Sequence, residues 1–256
     1  MTLKSLILVF FIVMFFTTCS KDEPGLRQGR TSALFSPDHT YGTMTDIEGN
    51  EYRTIEIGTQ TWMAENLRVK HYRNAEPIPN VTGDDDPYLW SNLDYGAWCS
   101  YENTTDVDSI ATYGLLYNWY AVDDERGLCP MAWRVPTDED WSILVEYVDA
   151  GDGATNDDGT TNSVVGGRMK ETGTLHWDYP NRFATNSSGF TAIPGGHRFS
   201  SWDVEFSSKG NNSYMWSSSL WEEIVPLYRN INTNFATIGK HAGPPSNGLS
   251  VRCIKE

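Results

Sequence analysis

The side chains able to do chemistry are scattered along the chain. The five histidines, His39, His71, His176, His197 and His241, form no His-x-His and no i, i+4 helical pair, and there is no Cys-x-x-Cys. A zinc centre therefore has no recognisable ligand set. No Gly-x-Ser-x-Gly elbow presents a nucleophilic serine, and Gly166-Gly167-Arg168 lacks the Lys-Ser/Thr ending of a phosphate loop. Carboxylates are abundant, but abundance is not a pair at a catalytic separation, and a solvated acidic surface accounts for them. Two oxygen-rich runs, Asp84-Asp85-Asp86 and Asp152 to Asp158, could hold a structural calcium, although neither has EF-hand spacing. The residues thus predict a non-catalytic protein with no catalytic metal and no organic cofactor, a structural calcium being the one ion they could hold.

Composition narrows the partners. Across 256 residues, 34 Asp and Glu outweigh 19 Lys and Arg, for a net charge of −15. Such a chain repels phosphate backbones, which argues against nucleic acid. Ten Trp and 13% aromatic residues argue against whole-chain disorder. With 22 Gly and 12 Pro, the chain reads as loops and strands, not as a helix bundle.

The elements follow from periodicity. Gly49-Asn50 and Gly58-Thr59 punctuate short alternating stretches and predict hairpins up to Met63. Residues 74–110, with Pro77, Pro79 and Pro87, read as a long loop excursion. After Pro136, Thr137 can cap a helix whose first turn carries Asp138, Glu139 and Asp140. Trp141, Leu144, Val145 and Val148 form its buried stripe, and Gly151 can end it. Further helices are expected over Leu116–Val122 and Val164–Glu171. Strands are expected over Gly189–Ile193, Tyr214–Ser217, Tyr228–Ile231 and Leu249–Cys253.

The N-terminus carries an address. Met1 to Thr18 has a short basic start and an apolar run too short to span a bilayer, as in a signal peptide. Phe16-Thr17-Thr18-Cys19 resembles a bacterial lipobox, which implies that Cys19 is lipidated. Lys21-Asp22-Glu23 resembles the surface-export signal of Bacteroidetes lipoproteins. Residues 1–18 are then a signal peptide and 19–43 a lipid-anchored flexible tether. The implied placement is the outer membrane, facing the medium.

Several motifs resemble one family. They are Gln60-Thr61-Trp62-Met63-Ala64-Glu65-Asn66-Leu67, Tyr113-Gly114-Leu115-Leu116-Tyr117-Asn118-Trp119, Trp133-Arg134-Val135-Pro136-Thr137, Asn186 to Ala192, Trp216-Ser217-Ser218 and Gly248 to Cys253. Together they resemble the Fibrobacter succinogenes major paralogous domain over residues 44–256. The Trp133–Thr137 segment also resembles the formylglycine-generating enzyme superfamily. The resemblance implies an α+β, C-type-lectin-like fold: a small twisted antiparallel sheet, two main helices and long loops. In such a fold Cys129 lies beside the final strand, which implies a disulfide with Cys253 and leaves Cys99 outside it; three pairings exist among these cysteines. The enzymes of that superfamily use a copper-binding cysteine pair, and here no second Cys lies close to Cys253 in sequence, so oxidase activity is the least supported reading.

The resemblance places a ligand on the loops between the central strands. The candidate stretch, Trp216 to Pro245, contains Trp221, Tyr228, Arg229, Asn230, Asn232 and Asn234. These types supply donors, acceptors and flat apolar area. The alternative is a core strand with Tyr228 and Asn230 on one face and Arg229 on the other. Asp108-Ser109-Ile110 resembles the Bacteroidetes O-glycan attachment sequence, which makes Ser109 a candidate modification site. The expected function is binding an extracellular glycan or protein; an accessory or tip subunit of a surface assembly is the alternative.

Overall fold

A computed structural model describes residues 29–83, 88–149, 164–199 and 206–256. Cys19, Lys21-Asp22-Glu23, Asp84-Asp85-Asp86, Asp152 to Asp158 and Gly151 lie outside these residues. The chain begins with β1 (Gly42–Thr45), β2 (Glu51–Ile57), β3 (Gln60–Met63) and β4 (Trp98–Cys99). Next come α1 (Val107–Tyr113), β5 (Leu116–Tyr117), α2 (Trp119–Val122), β6 (Trp133–Arg134), α3 (Asp138–Asp149) and α4 (Val165–Met169). The chain closes with β7 (Gly195–Arg198), β8 (Phe206–Lys209), β9 (Asn212–Trp221), β10 (Val225–Asn232), β11 (Ile238–Ala242) and β12 (Ile254–Lys255). No described helix is long and apolar enough to cross a membrane.

The architecture is α+β, with two five-stranded sheets where one small sheet was expected. The first runs β1-β2-β3-β12-β6 and is antiparallel throughout. Its first turn is built by Asp46, whose Oδ1 accepts the Glu48 and Asn50 amides at 2.9 Å while Tyr52 donates its hydroxyl to Oδ2 at 2.7 Å. The second runs β11-β10-β9-β7-β8, with β7 parallel to β9.

The C-terminal segment joins the two sheets. Gly248, Leu249 and Ser250 bridge to Arg198, Tyr117 and Met215, and Cys253 and Ile254 continue onto β3. Arg252 is fully buried at this seam. Its guanidinium donates to Asn66 Oδ1 (2.9 Å), to the Thr191 carbonyl (2.8 Å) and to the Phe190 carbonyl. Cys129 and Cys253 are joined in a disulfide, and Cys99 is a buried thiol outside it.

The helix after Pro136 forms as α3. Asp140 donates its amide to Thr137 Oγ1 and accepts the Thr137 amide at 2.7 Å, a reciprocal cap. Trp141, Leu144, Val145 and Val148 are all buried, and Trp141 lies 4.8 Å from Trp62 between ring centroids.

Four readings change. Leu116–Val122 is not one helix: Leu116 and Tyr117 pair with β4, and Asn118 then caps the single turn of α2 by accepting the Ala121 amide. Gly189–Ile193 is a buried loop whose carbonyls serve Arg252 and Tyr41. Val107–Tyr113, its first four residues read as loop, is α1, capped by Asp106, which accepts the Asp108 amide; Ser109 therefore sits on a helix and half-buried. Residues 29–41, read as tether, are a strap docked on the domain. There Phe35 packs on Tyr41 and under the Arg53 guanidinium, and the Leu34 amide donates to Glu171.

Candidate functional site

Strand alternation sorts the predicted ligand residues. On β10, Arg229 and Ile231 point into the molecule and are buried, whereas Tyr228, Asn230 and Asn232 share the half-exposed face. In the β9–β10–β11 register, Tyr228 lies between Trp216 and His241, Asn230 between Tyr214 and Gly239, and Asn232 opposite Asn212. Asn230 and Asn232 both donate to Asn212 Oδ1, at 3.0 and 2.9 Å, and Asn232 Oδ1 accepts the Asn234 amide at 2.8 Å. Three asparagine side chains thus form one amide cluster, with Asn234 at its edge.

Aromatic rings continue the face inward. Tyr214 and Tyr228 meet edge to face at 5.9 Å, and Tyr228 stacks on His241 at 5.5 Å. His197 on β7 packs against Tyr214 at 4.8 Å and against Phe199 at 3.5 Å. Its ring is 2% exposed, and neither nitrogen makes a hydrogen bond among the described residues. Burial pushes its pKa down to about 4. Burial also raises the Tyr214 and Tyr228 hydroxyls, and burial and the Arg229 charge lower His241. At neutral pH the face therefore presents neutral rings and amides on a strongly acidic protein.

Two predicted residues stand apart. Arg229 is an interior ion-pair residue: its guanidinium meets Asp138 Oδ1 at 2.6 Å at the start of α3, and Lys240 takes Oδ2 at 2.6 Å. Both cations are thereby held away from the amide face. Trp221 is 54% exposed but ends β9 at the turn into β10. Nine residue steps of strand separate it from Asn212, roughly 30 Å. Asn212, Tyr214 and His197 complete the face and were not among the predicted ligand residues. The spacing Asn212-x-Tyr214 mirrored by Asn230-x-Asn232 is the period-2 signal that points to them. Trp90 and Trp98 are buried in the interior.

The shared sequence motifs build the frame instead of this face. Asn66 links Tyr113 and Arg252, Asn186 closes the loop to Thr191 at 2.9 Å in both directions, and Arg134 holds Asp140. Gly114 has φ +76°, and a Cβ there would come within 2.5 Å of Asn66.

Fold and face together define an α+β domain of two sheets joined by its C-terminal segment, with a neutral amide-aromatic surface. The chain belongs to the Fibrobacter succinogenes major domain family, whose model matches residues 55–255. No curated protein and no solved structure matches the chain.

Proposed function

We propose that this is a lipoprotein of the outer-membrane surface, acylated at Cys19, whose C-type-lectin-like domain binds an uncharged extracellular glycan on the β9–β10–β11 face. The observation that carries the ligand class is the neutral pairing of amides with aromatic rings. Sugar hydroxyls need paired donors and acceptors, which Asn212, Asn230 and Asn232 supply, and sugar C–H faces lie flat on rings such as Tyr214 and Tyr228. The lipobox and Lys21-Asp22-Glu23 support the location.

A glycan array with the secreted form, Cys19 replaced by Ala, tests the ligand class. Retention of a neutral glycan, lost in Asn230→Ala and Tyr214→Ala variants that remain folded, is the expected result. Binding only to proteins, or glycan retention unchanged in both variants, would reject this face as a sugar site.

A further inference from the structure

A second constellation lies where the docked strap crosses the end of α1. Ser32 Oγ is 2.9 Å from His176 Nε2, and His176 Nδ1 is 2.7 Å from Glu171 Oε2 and 3.0 Å from Oε1. The Glu171 side chain is fully buried, that of His176 is 5% exposed, and Ser32 is exposed. The order buried carboxylate, covered imidazole, open hydroxyl is that of a nucleophilic triad. The three residues are separated by up to 144 positions, so no local sequence motif could have revealed them.

The hydrogen-bond network assigns the protons. Glu171 Oε1 accepts the Leu34 amide, and the carboxylate accepts from His176 Nδ1–H. That places the imidazole lone pair on Nε2, facing Ser32. Thr112 Oγ1 donates to the Asp108 carbonyl at 2.9 Å and accepts the Ser32 amide at 3.0 Å. Its proton is thereby committed, and the Ser32 hydroxyl has two acceptors within reach, His176 Nε2 at 2.9 Å and Thr112 Oγ1 at 3.0 Å. The Tyr113 ring meets the imidazole edge to face at 5.7 Å and limits its rotation. The hydroxyl opens on a cleft of about 400 Å³ lined by Arg30, Asp106, Asp108, Ser109 and Tyr113.

We propose that Ser32, His176 and Glu171 form an acyl-transfer site that hydrolyses short-chain carboxylic esters of polyhydroxylated alcohols. Ser32 Oγ attacks the ester carbonyl carbon, and its proton passes to His176 Nε2. The tetrahedral adduct collapses, the C–O bond to the alcohol breaks, and the departing oxygen takes the proton from Nε2. Water then attacks the acyl-serine, gives its proton to Nε2, and the carboxylic acid leaves as Ser32 regains that proton. Glu171 is a positioning residue that holds the tautomer. Arg30 lines the cleft together with the carboxylates Asp106 and Asp108. The polar rim selects a hydroxylated alcohol, and among the described residues no large aliphatic side chain lines the cleft for a long acyl chain. This site is separate from the amide-aromatic face and does not depend on it.

The test uses the full-length protein in detergent micelles. A fluorophosphonate probe followed by peptide mass spectrometry should place the adduct on Ser32. The protein should also hydrolyse p-nitrophenyl acetate and a peracetylated monosaccharide, with the palmitate ester cleaved far more slowly. Ser32→Ala should remove labelling and lower hydrolysis by about 10³-fold, and His176→Ala should do the same. Glu171→Gln should lower hydrolysis at least tenfold while thermal unfolding shows an intact fold, and Glu171→Asp should recover part of the loss. An unlabelled Ser32 in the parent protein overturns the proposal without reference to any variant. Equal labelling in His176→Ala, or a palmitate ester cleaved faster than the acetate, overturns the triad or the substrate class respectively.

Discussion

At the scale of single residues, one acceptor organises the amide face. Asn212 Oδ1 takes an N–H from each of Asn230 and Asn232 and so fixes both side chains before any ligand arrives. Preorganisation of this kind lowers the cost of binding. Replacing Asn212 by Ala should weaken glycan binding by about tenfold, the value of one net hydrogen bond, as measured by calorimetry. Arg229 predicts the opposite division. Arg229→Ala leaves Asp138 with Lys240 alone, so it should cost about 2 kcal/mol of stability, less than for a fully buried pair. In the protein that remains folded, glycan affinity should be unchanged; a large affinity loss would return Arg229 to the binding surface. His197 gives a pH prediction. Its folded pKa, about 4, lies below the ordinary histidine value of about 6.5. The unfolded chain therefore takes up the proton first as the solution is acidified. The stability is complete above pH ~6.5 and is lost progressively as pH falls towards 4, by about 3 kcal/mol. Thermal midpoints of His197→Phe and the parent, compared at pH 7 and pH 4.5, should show a smaller acid loss in the variant.

At the scale of elements, the legible parts of the sequence were those with a periodic apolar stripe or strong turn residues. The helix α3 announced itself through Thr137 and the Trp141–Val148 stripe, and the β2–β3 hairpin through Gly58-Thr59. Polar strands were harder to read. The chain Asn212–Trp221 is rich in Ser and Asn, so only Tyr214–Ser217 stood out, although the strand runs ten residues. The loop Gly189–Ile193 misled for a different reason. Phe190, Ala192 and Ile193 are buried like strand residues, but the neighbouring carbonyls are taken by Arg252, a partner 61 residues away or more. The face itself was half legible: Tyr228, Asn230 and Asn232 were identified, but their partners on β9 and β7 depend on cross-strand register. Two predictions belong to this scale. Thr137→Ala removes the α3 cap and should cost about 1 kcal/mol by denaturant titration. Replacing Cys129 and Cys253 with Ser opens a loop whose ends are 124 residues apart and should cost about 4–5 kcal/mol in the chain-entropy model. A loss under 1 kcal/mol would mean that the reduced chain already holds this segment in place.

At the scale of the whole molecule, the domain is completed from both ends of the chain. The C-terminal segment lies in the seam between the sheets, and the strap closes over α1 and the Asn186–Thr191 loop, where His39 donates to the Ser187 carbonyl and Tyr41 to that of Gly189. On the proposed acylation, Cys19→Ala should release the protein from membranes. Replacing Lys21, Asp22 and Glu23 with Ala should make it inaccessible to protease on intact cells. Unchanged surface proteolysis of the triple variant would remove the export assignment.

The strap also sets a length. On the proposed acylation at Cys19, ten residue steps separate the lipid from Gly29, about 35 Å at full stretch. On that reading the domain would be kept on a short leash. Confined this way, it would meet polymers lying at the cell's own surface at high effective concentration, and even weak single contacts would hold them there by avidity.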